Sequence, residues 1–371
     1  MKHTVRKKEL FVSCPSQLES ILIEELQSLD IPINRKGCRG VYVPFSMEAV
    51  YKINYLSRIA TRVLYPLIDF CCRDKEDLYK NSRDFDWLNY LNPEKTFAID
   101  ANVSHKNLKH SLHAALVVKD GICDFFREKL NIRPSVNTSN PDIQLNLFIH
   151  NDRAVISLDT SGAPLYKRGY RLDTVPAPVQ ENMAAALLYL ASYESNMVFA
   201  DPFCGSGTFL IEAAMQATKT PAGFYRHSFG FLNMPEFSQS DWDRFKKEWD
   251  KKRSPLKKQM IYGSDISEKA IEASYKNLER AHFVNEVPVF VQDVKDYKQT
   301  PDLIISNPPY GKRLDKLDSL YQDLDKLLEK TKAHIYMLAP LSQRRLPFRV
   351  KRIVSLMNGG LPVDFFKISK N

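Results

Sequence analysis

The sequence lacks the features that mark secreted, membrane-spanning and zinc-binding proteins. No apolar stretch in its 371 residues approaches the length of a membrane span, and the basic N-terminus lacks the apolar core of a signal peptide. None of its six cysteines belongs to a C-x-x-C pair or to a Cys/His cluster with zinc-ligand spacing. We therefore predict a soluble cytoplasmic protein with reduced, mostly buried thiols and no metal site.

Positive charge, by contrast, is in excess. The 53 Lys and Arg residues outnumber the 44 Asp and Glu residues, which gives a formal net charge of +9. This excess is compatible with a polyanionic partner, although many basic proteins bind no nucleic acid. A chain of this length, 44% hydrophobic, can bury real cores and form two or three domains.

The pattern of strand-like and helix-like segments divides the chain into three units. Residues 1–68 alternate short β-like runs with amphipathic helices, which predicts a small α+β unit. Residues 69–163 contain a long helix and a hairpin that turns at residues 151–152. In residues 164–371, strands and helices alternate after a proline-containing junction at 175–179. This alternation predicts an α/β domain with a mostly parallel, doubly wound sheet.

A glycine-rich turn joins the first strand of that α/β domain to a helix. Residues 201–208 read Asp-Pro-Phe-Cys-Gly-Ser-Gly-Thr, and Gly205 and Gly207 permit a tight turn close to a ligand. A dinucleotide fingerprint is disfavoured because Leu210 replaces its third glycine, and the ending of a P-loop is missing. The acidic Asp201 suits a cationic ligand better than a pyrophosphate. S-adenosylmethionine fits this requirement, because it has a sulfonium and an amino group and no phosphate. The alternative interpretation is a purely structural turn that binds no ligand.

The next two predicted strands each end in a carboxylate. Asp265 follows the strand that begins at residue 260, and a carboxylate there can accept hydrogen bonds from both ribose hydroxyls. Asp293 ends the following strand and could bind the adenine amine. The alternatives are a helix N-cap for Asp265 and a simple strand-end aspartate for Asp293.

The most specific signal is the tetrapeptide Asn-Pro-Pro-Tyr at residues 307–310, directly after an apolar strand. Its prolines cannot continue a sheet ladder, and they stiffen a loop at the edge where ligands bind. The Asn307 side chain and the Pro308 carbonyl could accept the two N–H groups of an exocyclic base amine and stabilise charge developing on its nitrogen. Tyr310 could stack on a flipped base. The loop predicts methyl transfer to a base nitrogen, and a rigid loop without chemistry is the alternative.

A basic and aromatic cluster precedes the α/β domain. Residues 165–171 read Leu-Tyr-Lys-Arg-Gly-Tyr-Arg, a composition that suits phosphates and bases. Its members are predicted to contact RNA: Tyr166, Lys167, Arg168, Tyr170 and Arg171. Residues 246–258 alternate bases with acids and are better interpreted as a solvated helix face.

Two segments resemble one known family, the THUMP-containing bacterial ribosomal RNA guanine-N2-methyltransferases. They are residues 201–214, Asp-Pro-Phe-Cys-Gly-Ser-Gly-Thr-Phe-Leu-Ile-Glu-Ala-Ala, and residues 307–314, Asn-Pro-Pro-Tyr-Gly-Lys-Arg-Leu. Shorter similarities lie at residues 133–136, 165–171, 181–188 and 356–359, so the likeness covers nearly the whole chain.

The resemblance implies a ferredoxin-like unit, a THUMP RNA-binding domain and a Rossmann-like methyltransferase domain. It implies S-adenosylmethionine as methyl donor and the N2 of a guanine in structured RNA as acceptor, with large-subunit ribosomal RNA or its assembly precursor as partner. The implied catalytic residues are Asn307, Pro308 and Tyr310. The implied cofactor-binding residues are Asp201, Pro202, Cys204, Gly205, Gly207, Thr208, Asp265, Ile266, Asp293, Val294, Asn307 and, on a neighbouring helix, Glu181. Lys312 and Arg313 join the five residues of the basic cluster as expected RNA contacts.

Three other functions remain open. The same tetrapeptide could serve an N-methyltransferase acting on a transfer RNA guanine, on adenine N6 or on a protein glutamine. A non-catalytic RNA-binding relic is disfavoured because both the glycine-rich turn and the tetrapeptide are intact. A nicotinamide oxidoreductase is disfavoured by the missing third glycine.

Overall fold

The computed structural model describes residues 8–176, 178–309, 322, 326–327, 331–340 and 349–369. Within these ranges the chain forms two seven-stranded sheets, and no helix is long and apolar enough to cross a membrane. The strands of the first sheet are β1 (Glu9–Ser13), β2 (Arg35–Gly37), β3 (Gly40–Pro44), β4 (Arg62–Cys71), β5 (Phe97–Ser104), β6 (Ile143–His150) and β7 (Arg153–Asp159). The accompanying helices are α1 (Glu19–Ser28), α2 (Met47–Leu56), α3 (Lys75–Asp84) and α4 (Ser111–Leu130).

Strand β4 belongs to both N-terminal units. The strand order is β2-β3-β1-β4-β7-β6-β5. One edge of β4 pairs with β1 through its first three residues, and the other edge pairs with β7 from Leu64 to Cys71. The proposed division after residue 68 therefore falls inside a strand, and the two units share one continuous sheet. The predicted hairpin is confirmed, since β6 and β7 are antiparallel around Asn151, which takes the left-handed φ of +51° that asparagine tolerates.

The second sheet belongs to the α/β domain, and most of its strands are parallel, as predicted. Its strands are β8 (Phe199–Asp201), β9 (Ile261–Asp265), β10 (Val289–Val291), β11 (Leu303–Ser306), β12 (His334–Ala339), β13 (Arg349–Asn358) and β14 (Leu361–Ser369). The helices described in this domain are α5 (Glu181–Leu190), α6 (Thr208–Ala217), α7 (Gln239–Asp250) and α8 (Glu268–Arg280).

The order of the second sheet, β10-β9-β8-β11-β12-β14-β13, fixes where a ligand can bind. The strands from β10 to β12 are parallel, whereas β14 and β13 are antiparallel additions. The chain runs from β8 outward to β9 and β10, and then returns to the other side of β8 as β11. Open α/β sheets bind ligands at such a switch point, outside the carboxyl ends of the strands. Both switch-point strands are buried along their whole length, as expected for strands covered on both faces.

Helix α7 overlaps a charged insertion, residues 242–258, and packs the α/β domain against helix α2 of the N-terminal unit. Trp242 on α7 is 6% exposed, and its ring centroid lies 5.4 Å from those of both Tyr51 and Tyr55 on α2. The Tyr55 hydroxyl donates to Asp250 at the end of α7, at 2.5 Å. Burial of one such aromatic side chain contributes about 1.5–3 kcal/mol. The helix therefore has one face packed against α2 in addition to its solvated charged face. Most of the cysteines are buried, as predicted.

Candidate active site

The glycine-rich turn adopts a conformation that requires both of its glycines. Gly205 and Gly207 have φ angles of +54° and +81°, in the left-handed region that side chains disfavour. A Cβ on Gly207 would lie 2.4 Å from the hydroxyl oxygen of Ser274 on α8. The N–H of Gly205 donates to the Asp265 Oδ2 atom at 3.0 Å. The turn thus closes directly onto the end of the neighbouring strand β9.

Asp265 is held at the edge of the sheet by backbone donors. Its Oδ1 atom accepts a hydrogen bond from the N–H of Ser267 at 2.9 Å. Ser267, rather than Asp265, is the N-cap of α8, because its hydroxyl accepts from the N–H of Ala270. The N-cap interpretation of Asp265 is therefore wrong. A carboxylate can accept about four hydrogen bonds, so Asp265 retains capacity for further donors.

Exposed apolar side chains lie next to Asp265. Ile266 is 69% exposed, and Val291, which is aligned with Asp265 in the paired strand, is 54% exposed. Asp293 caps the following turn by accepting from the N–H of Lys295 and is half-buried. Asp265 and Asp293 lie at the adjacent ends of β9 and β10, where the N–H of Gln292 donates to the carbonyl of Asp265 at 3.0 Å. Two acceptors beside exposed apolar side chains suit a flat ring that carries donor groups. Asp265, Ile266 and Asp293 thus lie at one edge of the sheet, whereas the Val294 side chain is buried in the core.

Asp201 joins the two strands of the switch point. It is 1% exposed, and its Oδ1 atom accepts hydrogen bonds from the Ser306 hydroxyl at 2.6 Å and from the N–H of Phe203 at 3.0 Å. Both donors favour the charged carboxylate, but burial outweighs them and raises the pKa of Asp201 to about 7. The end of β8, which begins the glycine-rich turn, is therefore tied to the last residue of β11.

The Asn-Pro-Pro-Tyr loop starts at this junction. Asn307 follows Ser306 at the carboxyl end of β11 and is half-buried, Pro308 is buried, and Pro309 is exposed. Asn307 therefore lies at the same sheet edge as Asp201 and the glycine-rich turn. Other predicted members of this site, Tyr310, Lys312 and Arg313, lie outside the described residues.

The predicted RNA contacts at Arg168 and Tyr170 are wrong, because both side chains are in the interior. Each residue is 1% exposed. The Arg168 guanidinium forms an ion pair with Glu212 on α6 at 3.4 Å and donates to the carbonyl of Arg58 at 2.6 Å. The Tyr170 hydroxyl donates to the same Glu212 oxygen at 2.9 Å. These groups compensate the burial of a carboxylate in a mostly apolar helix, and they cannot reach a surface ligand.

Arg171 is also directed inward, so its assignment as an RNA contact is wrong as well. Its side chain is 11% exposed, forms an ion pair with Glu181 at 3.0 Å and lies 3.5 Å from the hydroxyl oxygen of Thr208. Burial raises the pKa of Glu181 to about 7, although the guanidinium favours its charged form. Arg171 thus contacts the first residue of α6 from the interior of the domain. In the basic cluster, Lys167 remains exposed and Tyr166 half-buried.

Asn277, which belongs to no motif in the sequence, is a buried residue that connects two loops of the site. Its side-chain amide donates to the carbonyl of Ser206 in the glycine-rich turn at 3.0 Å and to that of Asp173 at 2.8 Å. Asn277 lies on the buried face of α8 with apolar or small residues at helical spacing, among them Ala270 and Ala273. A polar residue on an otherwise buried helix face is the sequence signal that could have indicated the role of Asn277. Ser306 gives a similar signal, because it is the one polar residue of the strand Leu303–Ser306.

Comparisons with known proteins identify all three parts of the chain. A model of the RlmL ferredoxin-like domain matches residues 9–64, one of the THUMP domain matches residues 72–159, and one of the RMKL-like methyltransferase domain matches residues 168–346. The ribosomal RNA large subunit methyltransferase K/L of Syntrophotalea carbinolica is 33% identical over 95% of this chain and 52% of its own length. The protein of the same name from Pseudomonas syringae pv. tomato is 34% identical over 97% of this chain and 50% of its own length. The chain thus spans about half the length of these curated relatives.

Two solved structures match this chain over nearly the full length of both proteins. One, described as a candidate methyltransferase (SMU.472) in complex with SAH, is 26% identical, with a TM-score of 0.83 over 100% of this chain and 99% of that chain. Another, from Listeria monocytogenes and described from its sequence as an N6-adenine-specific DNA methylase, is 25% identical, with a TM-score of 0.82 over 98% of this chain and 96% of that chain. The chain therefore contains an RlmL ferredoxin-like domain, a THUMP domain and an RMKL-like methyltransferase domain, in that order.

Proposed function

We propose that this protein transfers a methyl group from S-adenosylmethionine to the exocyclic N2 of a guanine in structured RNA, with large-subunit ribosomal RNA as the substrate. The observation that carries the proposal is the hydrogen bond from Ser306 to Asp201, which holds the glycine-rich turn and the Asn307 loop at one switch point. The names of the curated relatives and the THUMP domain support an RNA acceptor. A ribosomal RNA substrate would also place the protein in the cytoplasm.

The residues around the glycine-rich turn fit S-adenosylmethionine. Asp265 would accept hydrogen bonds from the ribose hydroxyls, Ile266 would cover the adenine ring, and Asp293 would accept from its amine. Residues 201–208 contain no lysine or arginine, so the turn offers no cation for a phosphate. When bound there, the cofactor supplies an electrophilic methyl group on a sulfonium.

The Asn307 loop would prepare the acceptor amine. An exocyclic amine is a poor nucleophile because its lone pair is delocalised into the ring. The Asn307 side-chain oxygen and the Pro308 carbonyl would each accept one N–H, which holds the lone pair toward the methyl group and stabilises the developing positive charge. The proton leaves to water after the new N–C bond has formed, so no residue needs to act as a base beforehand.

The acceptor class can be tested directly. The same loop chemistry could serve adenine N6, the specificity described for the Listeria protein, but the THUMP domain at residues 72–159 favours RNA. The purified protein is incubated with methyl-labelled S-adenosylmethionine and, separately, with ribosomal RNA, transfer RNA, DNA and a protein extract. We expect label to be transferred to ribosomal RNA. Transfer to DNA or protein instead would contradict the proposal.

Replacing Asp265 with alanine is expected to weaken S-adenosylmethionine binding by about 1–3 kcal/mol, because ribose hydroxyls and the Gly205 N–H would lose an acceptor. Calorimetric titration of the cofactor measures this change. Glu268→Ala is the matched control, since Glu268 is an exposed carboxylate three residues farther along the chain. Equal affinities for the wild-type protein and a folded Asp265→Ala protein would remove Asp265 from the cofactor site.

Replacing Ser306 with alanine is expected to slow methyl transfer by about 10- to 100-fold while cofactor affinity stays nearly constant, because the start of the Asn307 loop would lose its anchor on Asp201. Single-turnover rates at saturating cofactor measure the effect. Ser264→Ala is the control, since Ser264 is equally buried in strand β9 but its hydroxyl has no hydrogen-bond partner among the described residues. A wild-type rate for Ser306→Ala, or an equal loss in the control, would contradict a positioning role for Ser306.

A further inference from the structure

The interior position of Arg168, Tyr170 and Arg171 leaves the RNA-binding surface to be found elsewhere. A cavity of about 480 Å³ opens between the starts of helices α3 and α4 in the THUMP domain. We propose that this pocket binds a backbone phosphate of the RNA, an inference that rests on the RNA substrate proposed above. The lining residues are Asp74, Lys75, Asn107, Leu108, Lys109, His110 and His113.

The pocket concentrates cationic groups that form no ion pair with a carboxylate of the described structure. Lys75 and Lys109 line it and are exposed, and Lys106 lies beside it. In the described part of the chain, none of these three lysines forms an ion pair. By contrast, Lys246 and Lys252 on the charged insertion are paired with acids one helical turn away. Unpaired lysines around one cavity are the groups with which proteins neutralise phosphates.

The acidic side chains near the pocket are already engaged. The Asp74 carboxylate caps α3 by accepting hydrogen bonds from the N–H groups of Glu76 and Asp77, at 3.0 and 2.9 Å. Asp77 itself forms an ion pair with Arg73 at 2.8 Å. Only Glu76 in this turn has no such contact among the described residues, and it does not line the cavity. The balance of charge at the cavity is therefore positive.

The loop that carries the lysines is fixed before any ligand binds. His105 has a side chain that is 1% exposed, and its Nδ1 atom accepts hydrogen bonds from the N–H groups of Asn107 and Leu108, each at 3.0 Å. The Asn107 side chain donates to the carbonyl of Arg73 at 3.2 Å, which ties this loop to the segment before α3. A site that is formed in advance spends less binding free energy on ordering its side chains.

Backbone donors add to the cationic side chains. Helix α4 has 20 residues, and its N-cap residue His110 makes no side-chain hydrogen bond to the first turn. The first N–H groups of a helix have no partner within the helix, and they interact favourably with anions. The cavity lined by Lys75, Lys109, His110 and His113 therefore lies at the end of α4 where these N–H groups occur. This combination suits a phosphate.

The test uses the full-length Lys75→Gln/Lys109→Gln variant and a ribosomal RNA fragment that the wild-type protein methylates. We expect the Kd for this RNA to rise about tenfold and the slope of log K against log salt concentration to become less steep by about 1, because one neutralised phosphate is lost. The rate of methyl transfer at saturating RNA should stay at the wild-type value, since neither lysine lies in the methyltransferase domain.

Lys257→Gln/Lys258→Gln is the control, because it removes the same charge from two exposed lysines outside the pocket and should leave the Kd within about twofold of wild type. The proposal is overturned if the pocket variant binds RNA like the wild-type protein, as it would if the pocket docked a protein partner. It is also overturned if the control variant loses as much affinity, since net charge alone would then explain the result.

The experiment also separates failure of the pocket from failure of the proposed function. If the wild-type protein methylates RNA and the pocket variant is unchanged, the pocket assignment fails and the proposed function stands. If the wild-type protein neither binds nor methylates RNA, the proposed function fails with it.

Discussion

The Asn307→Ala protein is expected to bind S-adenosylmethionine with nearly wild-type affinity but to transfer the methyl group about two to three orders of magnitude more slowly. This is the usual effect of removing one hydrogen bond that is directed at charge developing in a transition state. Asn307 stands at the carboxyl end of β11, next to the Ser306–Asp201 hydrogen bond, so its backbone position is fixed by the sheet. Alanine would remove both orientation and polarisation of the target amine.

The measurement is single-turnover methylation of the RNA substrate at saturating cofactor, with calorimetry of the cofactor in parallel. Asn307→Asp is the informative companion, because it keeps an acceptor oxygen and should retain more activity than the alanine variant. If Asn307→Ala reacted at the wild-type rate, the loop would not be the transfer site, and the relic and oxidoreductase interpretations would be open again.

The Arg168→Ala protein is expected to lose about 3–5 kcal/mol of stability, the usual effect of removing one partner of a buried ion pair. Glu212 would keep the hydrogen bond from Tyr170 but lose its only cationic ion-pair partner among the described residues. The Arg58 carbonyl in the N-terminal unit would lose a donor as well. The substitution should therefore also weaken the packing of the α/β domain against the N-terminal unit. The loss follows from leaving a carboxylate uncompensated in the interior.

Urea unfolding, followed by tryptophan fluorescence and circular dichroism, measures this effect. Lys167→Ala is the matched control, since the neighbouring Lys167 is exposed and its loss should change stability by less than about 0.5 kcal/mol. A stable Arg168→Ala protein with weakened RNA affinity would show that Arg168 faces the RNA, and the interior arrangement would be contradicted.

Much of the architecture follows from local sequence patterns. The helix Thr208–Ala217 and the strand Leu303–Ser306 lie where the glycine-rich turn and an apolar run predict them. These elements are buried on both faces or bounded by residues that cannot continue them, so local signals suffice. The alternation of strands and helices also predicts the parallel sheet, and with it the edge at which both Asp265 and Asn307 lie.

Other features depend on contacts between distant residues, which a single sequence does not reveal. Residues 165–171 have the composition of an RNA-binding segment, but a buried carboxylate 42 to 44 positions away, Glu212, draws Arg168 and Tyr170 into the interior. Strand β4 joins two units into one sheet because its two edges find different partners, and strand pairing is not encoded in local periodicity. The role of Tyr310 in stacking on the target base stays a prediction.

The activity that we propose for this chain is methylation of the N2 of a guanine in RNA. The most direct measurement is mass spectrometry of the nucleosides released from ribosomal RNA that has been incubated with the protein and S-adenosylmethionine carrying a deuterated methyl group. We expect deuterium to appear in N2-methylguanosine, and the Asn307→Ala protein to produce about 100- to 1,000-fold less of it over the same time. Deuterium in N6-methyladenosine, or no labelled nucleoside at all, would contradict it.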